Sequence, residues 1–329
     1  MPGGELPRRA PERDGNAMRT VMETPQPRIR HKKRLRTDYM LCAMLIPGFI
    51  YLIVFEFLPL FGLVIGFQDF QLAKGIFHSK WIGLENFKYL FTMYPNFWRI
   101  VKNTVQIAGL KLIFGFTAPI IVTLMLNEVR HSHYKRSIQT LVYIPHFISW
   151  VILAGVLRTI LDPENGVINY IINLFGHESI YFLGDSSLFR GVLVVSDVWK
   201  SFGWGTIIYM AALTGIDPAL YEAAIIDGAG RFKRAWYITL PGIMPIIILN
   251  LILSVPSILN AGFDQIFNLY NERVYKVADV LDTFIYRLGI VEAQYDLSTA
   301  IGLVKSVISA ILLIISYQAA NRLYDYKVF

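Results

Sequence analysis

Six stretches of this chain are apolar over about twenty residues or more, running roughly over 39–67, 103–126, 137–161, 188–214, 237–263 and 298–320. A helix needs ~20 such residues to cross a bilayer. Within the hydrocarbon layer every backbone N–H and C=O must find its partner inside the protein, so a chain of this kind folds as a bundle of spanning helices. With 54% hydrophobic and 17% charged residues it lies well outside the range of a soluble domain. The first stretch is long enough to tilt or to end in an interfacial turn near Pro59, and the fourth is the least hydrophobic, carrying Arg190, Asp197 and Lys200. Pro47, Pro59, Pro119, Pro145, Pro241, Pro245 and Pro256 fall inside these stretches and predict kinks, because neighbouring helices can satisfy the carbonyls that proline leaves free. Kinked helices suit a bundle around a cavity.

Charge sets the orientation. With the N-terminus inside, the segments 1–36, 127–136, 215–236 and 321–329 hold 18 Arg and Lys, against 7 in the outward loops 68–101, 162–187 and 264–297. Both termini are therefore expected in the cytosol. Residues 1–36 carry ten cationic residues against four acids and few aromatics, which reads as a basic, disordered cytosolic arm ahead of a membrane domain at 37–329. The arm is unlike a cleaved signal peptide, since the apolar run behind it is too long and lacks a small-residue cleavage site. The net charge of +7 sits largely in this arm, so its expected partner is anionic membrane lipid and not nucleic acid. A lone cysteine, Cys42 in an apolar run, excludes an intrachain disulfide and a thiolate metal cluster.

Between the fourth and fifth stretches lies YEAAIIDGAGRFKRAWYITLP, Tyr221 to Pro241. Asp217 is placed to cap a helix with Pro218 at its first position, and Gly228 and Gly230 break it. Arg231 to Tyr237 can form a second short helix leading into Pro241. Ala223, Ala224, Gly228, Ala229 and Gly230 carry almost no side chain, so another surface can approach the backbone closely: the stretch predicts a docking elbow.

Glu222, Ala223, Ala224, Gly228, Ile238, Leu240 and Pro241, with Asp227 and Ala229 completing a DGA triplet, resemble the cytoplasmic EAA loop of permease subunits in binding-protein-dependent ABC importers. In the first outward loop, WIGLENFKYLF has the aromatic, amphipathic pattern of an interfacial helix. There Trp81, Gly83, Asn86 and Phe87, followed by Asn103 and Thr104, are similar to the WxGxxNF and NT pattern of carbohydrate-importer permeases. The resemblance covers Tyr39 to the C-terminus and is nearest to the larger, maltose-type or alginate-type subunit of a heterodimeric pair. It implies an all-α inner-membrane protein with six transmembrane helices, an EAA coupling loop at 215–236 and an outer interfacial helix. It further implies a second permease subunit, two ATP-binding subunits and an extracytoplasmic solute-binding protein. Coupling to the ATPase would fall to Glu222, Ala223, Ala224, Asp227, Gly228, Ala229 and Pro241, with Glu222 anchoring the coupling helix by a polar contact.

No GxxxxGK[ST] loop is present, so ATP and Mg²⁺ are expected on the partner ATPase and no cofactor in this chain. His131 and His133 lack acidic partners and metal spacing, DPENG at 162–166 reads as a turn, and no nucleophile with base and orienting acid can be assembled. The chain is read as a non-enzyme without a metal site. Polar residues inside spans are the better clue, because lipid penalises them. Asp197, Lys200, Ser201 and Trp204 recur at helical spacing on one face of the fourth stretch, where Asp197 and Lys200 could pair; Asn250, Ser254 and Ser257 share a face of the fifth. By the resemblance, the helices flanking the EAA loop touch substrate, and these seven residues are the candidate path; the alternative is that they hydrogen-bond between helices and hold the bundle together. Trp199, Phe202, Trp204 and Tyr209 suit sugar stacking, and Lys111, Lys200 and Lys305 either favour an acidic, uronate-like glycan or, for Lys111 and Lys305, snorkel to an interface. The rival readings are an ABC permease for an amino acid, peptide or inorganic ion, and an ion-coupled secondary transporter or membrane-embedded glycan enzyme. The WxGxxNF loop speaks against the first and the lack of internal repeats against the carrier.

Overall fold

A computed structural model describes residues 31–129 and 131–324. The arm expected at 1–36 therefore lies outside the described residues up to position 30, and helix α1, His31–Leu52, already includes HKKRLR. The chain divides into two compact units, Met1–Pro59 and Leu60–Phe329.

In the first unit, α1 is followed by a π-turn, Ile53–Phe57, in which Leu58 N–H donates to Ile53 O. The wider turn suits the approach to Pro59, which has no N–H to continue the α-helical ladder. Leu45, Phe49, Ile53 and Phe57 are all exposed, the mark of a helix whose apolar side chains meet lipid.

The second unit opens with a 3₁₀ turn, Phe61–Phe67, then an antiparallel pair of two-residue strands, β1 Gln68–Asp69 and β2 Lys80–Trp81. Helix α2, Glu85–Thr92, follows, then α3 Phe97–Asn127, α4 Ser132–Tyr143, α5 Trp150–Ile160, α6 Val167–Leu174 and α7 Phe189–Leu213. After α8, Pro218–Ile226, the chain is helical through α9, Arg231–Leu259, and then forms α10 Phe263–Leu269, α11 Leu281–Tyr286 and α12 Tyr295–Tyr324.

Among the described residues, four helical stretches are long and apolar enough to cross a membrane: Cys42–Phe67, Phe97–Asn127, Arg231–Leu259 and Tyr295–Arg322. The third expected stretch is not one rod. It is α4 and α5 bent by 101° at a short break. Pro145 lies in a 3₁₀ turn there, and the Ser149 side chain accepts from Ile152 N–H to start α5 afresh. The fourth is a 25-residue helix, α7, which carries Arg190, Asp197 and Lys200 and is not among the four.

Helix α7 packs closely against α3 and α4 because it carries a glycine at each crossing. A Cβ on Gly205 would lie 2.7 Å from the Pro119 ring, and one on Gly203 would collide with the Val142 carbonyl. The core beside them gathers Ile107, Phe189, Leu193, Ile266 and Leu269; a second gathers Leu90, Phe97, Phe284, Leu288 and Ile301. The loop-motif residues are ties. Asn86 donates to Gly66 O and Gln68 O at 3.1 Å, fixing α2 to the strand pair, where Trp81 stacks on Phe67 at 5.7 Å. Asn103 donates to Lys276 O and Asp279 O and accepts from Arg190, while Thr104 Oγ1 accepts from Leu281 N–H at 2.8 Å. These bonds hold α11 to α3.

Candidate functional sites: a helical elbow and a polar cleft

The elbow forms as its residues dictate. Asp217 Oδ1 accepts from Ala219 N–H at 2.9 Å and Pro218 begins α8. At the other end Gly228 takes φ +73°, Gly228 N–H donates to Ile225 O and Ala229 N–H to Ala224 O at 2.8 Å. This is the Schellman closure that glycine permits. Nothing lies within 4 Å of where a Cβ on Gly228 or Gly230 would stand, so the turn is open on its outside. Glu222, Ala223, Asp227 and Gly228 are exposed and Ala224 and Ala229 half-buried.

The second short helix expected over Arg231–Tyr237 is instead the first part of α9. An α-turn at Arg231–Arg234 passes through a π-turn, Ala235–Thr239, in which Leu240 N–H donates to Ala235 O. That wider turn absorbs Pro241, which cannot donate, so the helix continues without a break. Tyr221 OH lies 2.9 Å from the Thr239 hydroxyl, and Arg234 and Arg231 reach Glu128 at 3.4 and 3.8 Å, joining the elbow to the end of α3. Ile226 and Phe232 are 85% and 94% exposed, an apolar surface with no cover among the described residues.

A cleft of about 340 Å³ lies among α3, α7, α9 and the turn at 260–262. Of the seven residues expected along a path, Asp197, Asn250, Ser254 and Ser257 line it; Lys200, Ser201 and Trp204 do not. Lys200 donates to His146 O at 2.6 Å, and Trp204 stacks on the His146 ring at 4.6 Å. A three-residue step leaves side chains ~60° apart on a helix, enough to turn Lys200 toward the break between α4 and α5, where the 3₁₀ turn offers a free carbonyl. Asp197 consequently pairs with Lys111 of α3, at 3.5 Å, and not with Lys200. Ser254 and Ser257 bond carbonyls of their own helix, Asn250 O and Ser254 O, at 2.7 and 2.6 Å. The Asn250 amide nitrogen is buried without a protein partner. Hydroxyls bonded within their own turn do not clamp one helix to another.

Tyr209 joins the cleft, whereas Trp199 and Phe202 border an apolar groove on another side of α7. Lys305 pairs with Asp282 and takes no part. Sequence reasoning raised Lys111 but missed Gln265 and Gly262. Gly262 falls at the very end of the fifth expected stretch and Gln265 at the start of the outward loop behind it; the local sign is the run Asn260-Ala261-Gly262 behind Pro256.

Long apolar helices gathered round a polar cleft define a membrane transport component. Residues 115–328 match the family described as binding-protein-dependent transport system inner membrane component, and the chain belongs to it. Protein LplB of Bacillus subtilis (strain 168) is 46% identical over 85% of this chain and 87% of its own. The polygalacturonan/rhamnogalacturonan transport system permease protein YteP of the same organism is 40% identical over 94% and 97%. Among solved structures, a bacterial alginate ABC transporter in complex with alginate pentasaccharide-bound periplasmic protein is similar with a TM-score of 0.82 and 38% identity, over 90% of this chain and 99% of that one.

Proposed function

We propose that this chain is one of two permease subunits of an ATP-driven importer for acidic oligosaccharides, the breakdown products of uronate-bearing polysaccharides. It crosses the inner membrane six times, with both termini and the 215–236 loop in the cytosol. The cleft forms its half of the path. Two separate ATPase subunits bind ATP and Mg²⁺, and an extracytoplasmic binding protein delivers the sugar. The observation that carries the reading is the elbow, where a closed helix end with small residues lies beside uncovered Ile226 and Phe232. Two similar proteins support the cargo: the names of YteP and of the alginate transporter refer to polymers of uronic acids.

In this scheme the elbow transmits force. Glu222 makes a polar contact with the ATPase, Ala223, Ala224 and Gly228 let the surfaces close, Asp227 and Ala229 shape the turn, and Pro241 begins the apolar part of the following span. ATP-driven closure moves α8, and the spans follow as rigid elements. Asp197, Asn250, Ser254 and Ser257 meet the sugar by hydrogen bonds. Lys200 and Trp204 act one layer behind, on the α4–α5 break, and Ser201 lies beside them on α7. Glu222→Lys tests the reading: in proteoliposomes holding the assembled importer, ATP should still be hydrolysed while uptake of a uronate tetramer falls at least tenfold. Undiminished uptake would refute the assigned elbow.

A further inference from the structure

We propose that Lys111 selects the acidic sugar in the cleft, with Asp197 as its displaceable counterion. The inference rests on the acidic-saccharide reading above and adds the residue that enforces it.

An ammonium has three protons to place. Two of those on Lys111, which is 9% exposed, have firm acceptors: Ala261 O at 2.7 Å and the Gln265 side-chain oxygen. Gln265 is fully buried, and its nitrogen donates to Leu193 O and Ser196 Oγ, each at 2.8 Å, so its oxygen is turned to the lysine. Gly262 makes the room. At φ +90° it holds a conformation that side chains disfavour, and a Cβ there would sit 3.0 Å from the Lys111 nitrogen. Residues from α3, α7 and the 260–265 segment thus build one seat for a cation.

The third acceptor differs. Asp197 lies at 3.5 Å, beyond the ~2.7–2.9 Å of a charge-assisted hydrogen bond, and its side chain is 27% exposed where it lines the cleft. A uronate carboxylate can take that position at full hydrogen-bonding length, leaving Asp197 to accept from ring hydroxyls. A neutral sugar cannot make the exchange, because removing Asp197 without supplying another anion would leave a buried ammonium uncompensated.

The test uses the importer complex purified from native membranes, without its binding protein, in equilibrium dialysis against a labelled uronate tetramer and the same tetramer with its carboxyls reduced to alcohols. Lys111→Met should weaken uronate binding at least tenfold and leave the reduced tetramer unaffected. Lys111→Arg should recover part of the loss. Asp197→Asn should tighten uronate binding several-fold, since no resident anion has to leave. A pair that is only structural predicts the opposite sign, so an Asp197→Asn complex that binds uronate as poorly as Lys111→Met would overturn the proposal, as would wild-type affinity in Lys111→Met or no measurable uronate binding to the wild type. A wild-type complex that takes the reduced tetramer and rejects the uronate sinks the substrate reading itself.

Discussion

Asn103 shows what a buried amide does in this fold. It is 2% exposed and donates to Lys276 O and Asp279 O, two carbonyls of one loop, while its oxygen receives Arg190. Asn103→Ala would strand those carbonyls, and an unsatisfied buried group costs about 1–3 kcal/mol. A melting curve of the purified protein in detergent should show a fall of several degrees. Gly203 makes the complementary case: even alanine there puts a methyl group into the Val142 carbonyl, so Gly203→Ala should lower the melting temperature more than Asn103→Ala does. Of the two, only the first was visible in the sequence, as part of an NT pattern. Its role as a tie depends on a loop more than 170 residues away, which no local pattern reveals.

Among the elements, the α4–α5 pair and the elbow behave differently from simple rods. Pro145 marked a kink in advance, but the 101° bend and the free His146 carbonyl that captures Lys200 exist only in the folded chain. The first half of the elbow was legible, because each of its features is local: a capping Asp, a Pro at the first turn, a Gly at the left-handed position. What the sequence could not convey is that the expected second short helix is the start of α9 and runs on without a break, since π-turns such as the one ahead of Pro241 have no strong sequence signature. Gly228→Val would force a branched side chain into the left-handed region, at ~1–2 kcal/mol or more. The expected result is lower sugar uptake per ATP hydrolysed, read by measuring both in the same vesicles, with the amount of assembled complex little changed.

Among the described residues, apolar surface is left uncovered both along the spans and at the elbow. Along the spans this is what lipid requires. At the elbow, Ile226 and Phe232 stand on a segment flanked by Arg231, Lys233 and Arg234, too charged to lie in lipid, and in the proposed scheme this is the surface that meets the ATPase. Ile226→Asp should therefore reduce the ATPase recovered when the membrane complex is purified by a tag on this chain, quantified by gel densitometry, without lowering the melting temperature of the isolated subunit.

By itself the sequence determined the class of the protein and one local device, apolar stretches of spanning length and a glycine-broken helix end, both written in local periodicity and backbone preference. Only the tertiary structure decided which in-span polar groups meet the cleft. That choice turns on how α3 and α7 are rotated where their glycine and proline contacts let them touch, and on a backbone carbonyl at Ala261 held against Lys111 from 150 residues away. Helical spacing says which side chains share a face; it does not say what that face will meet.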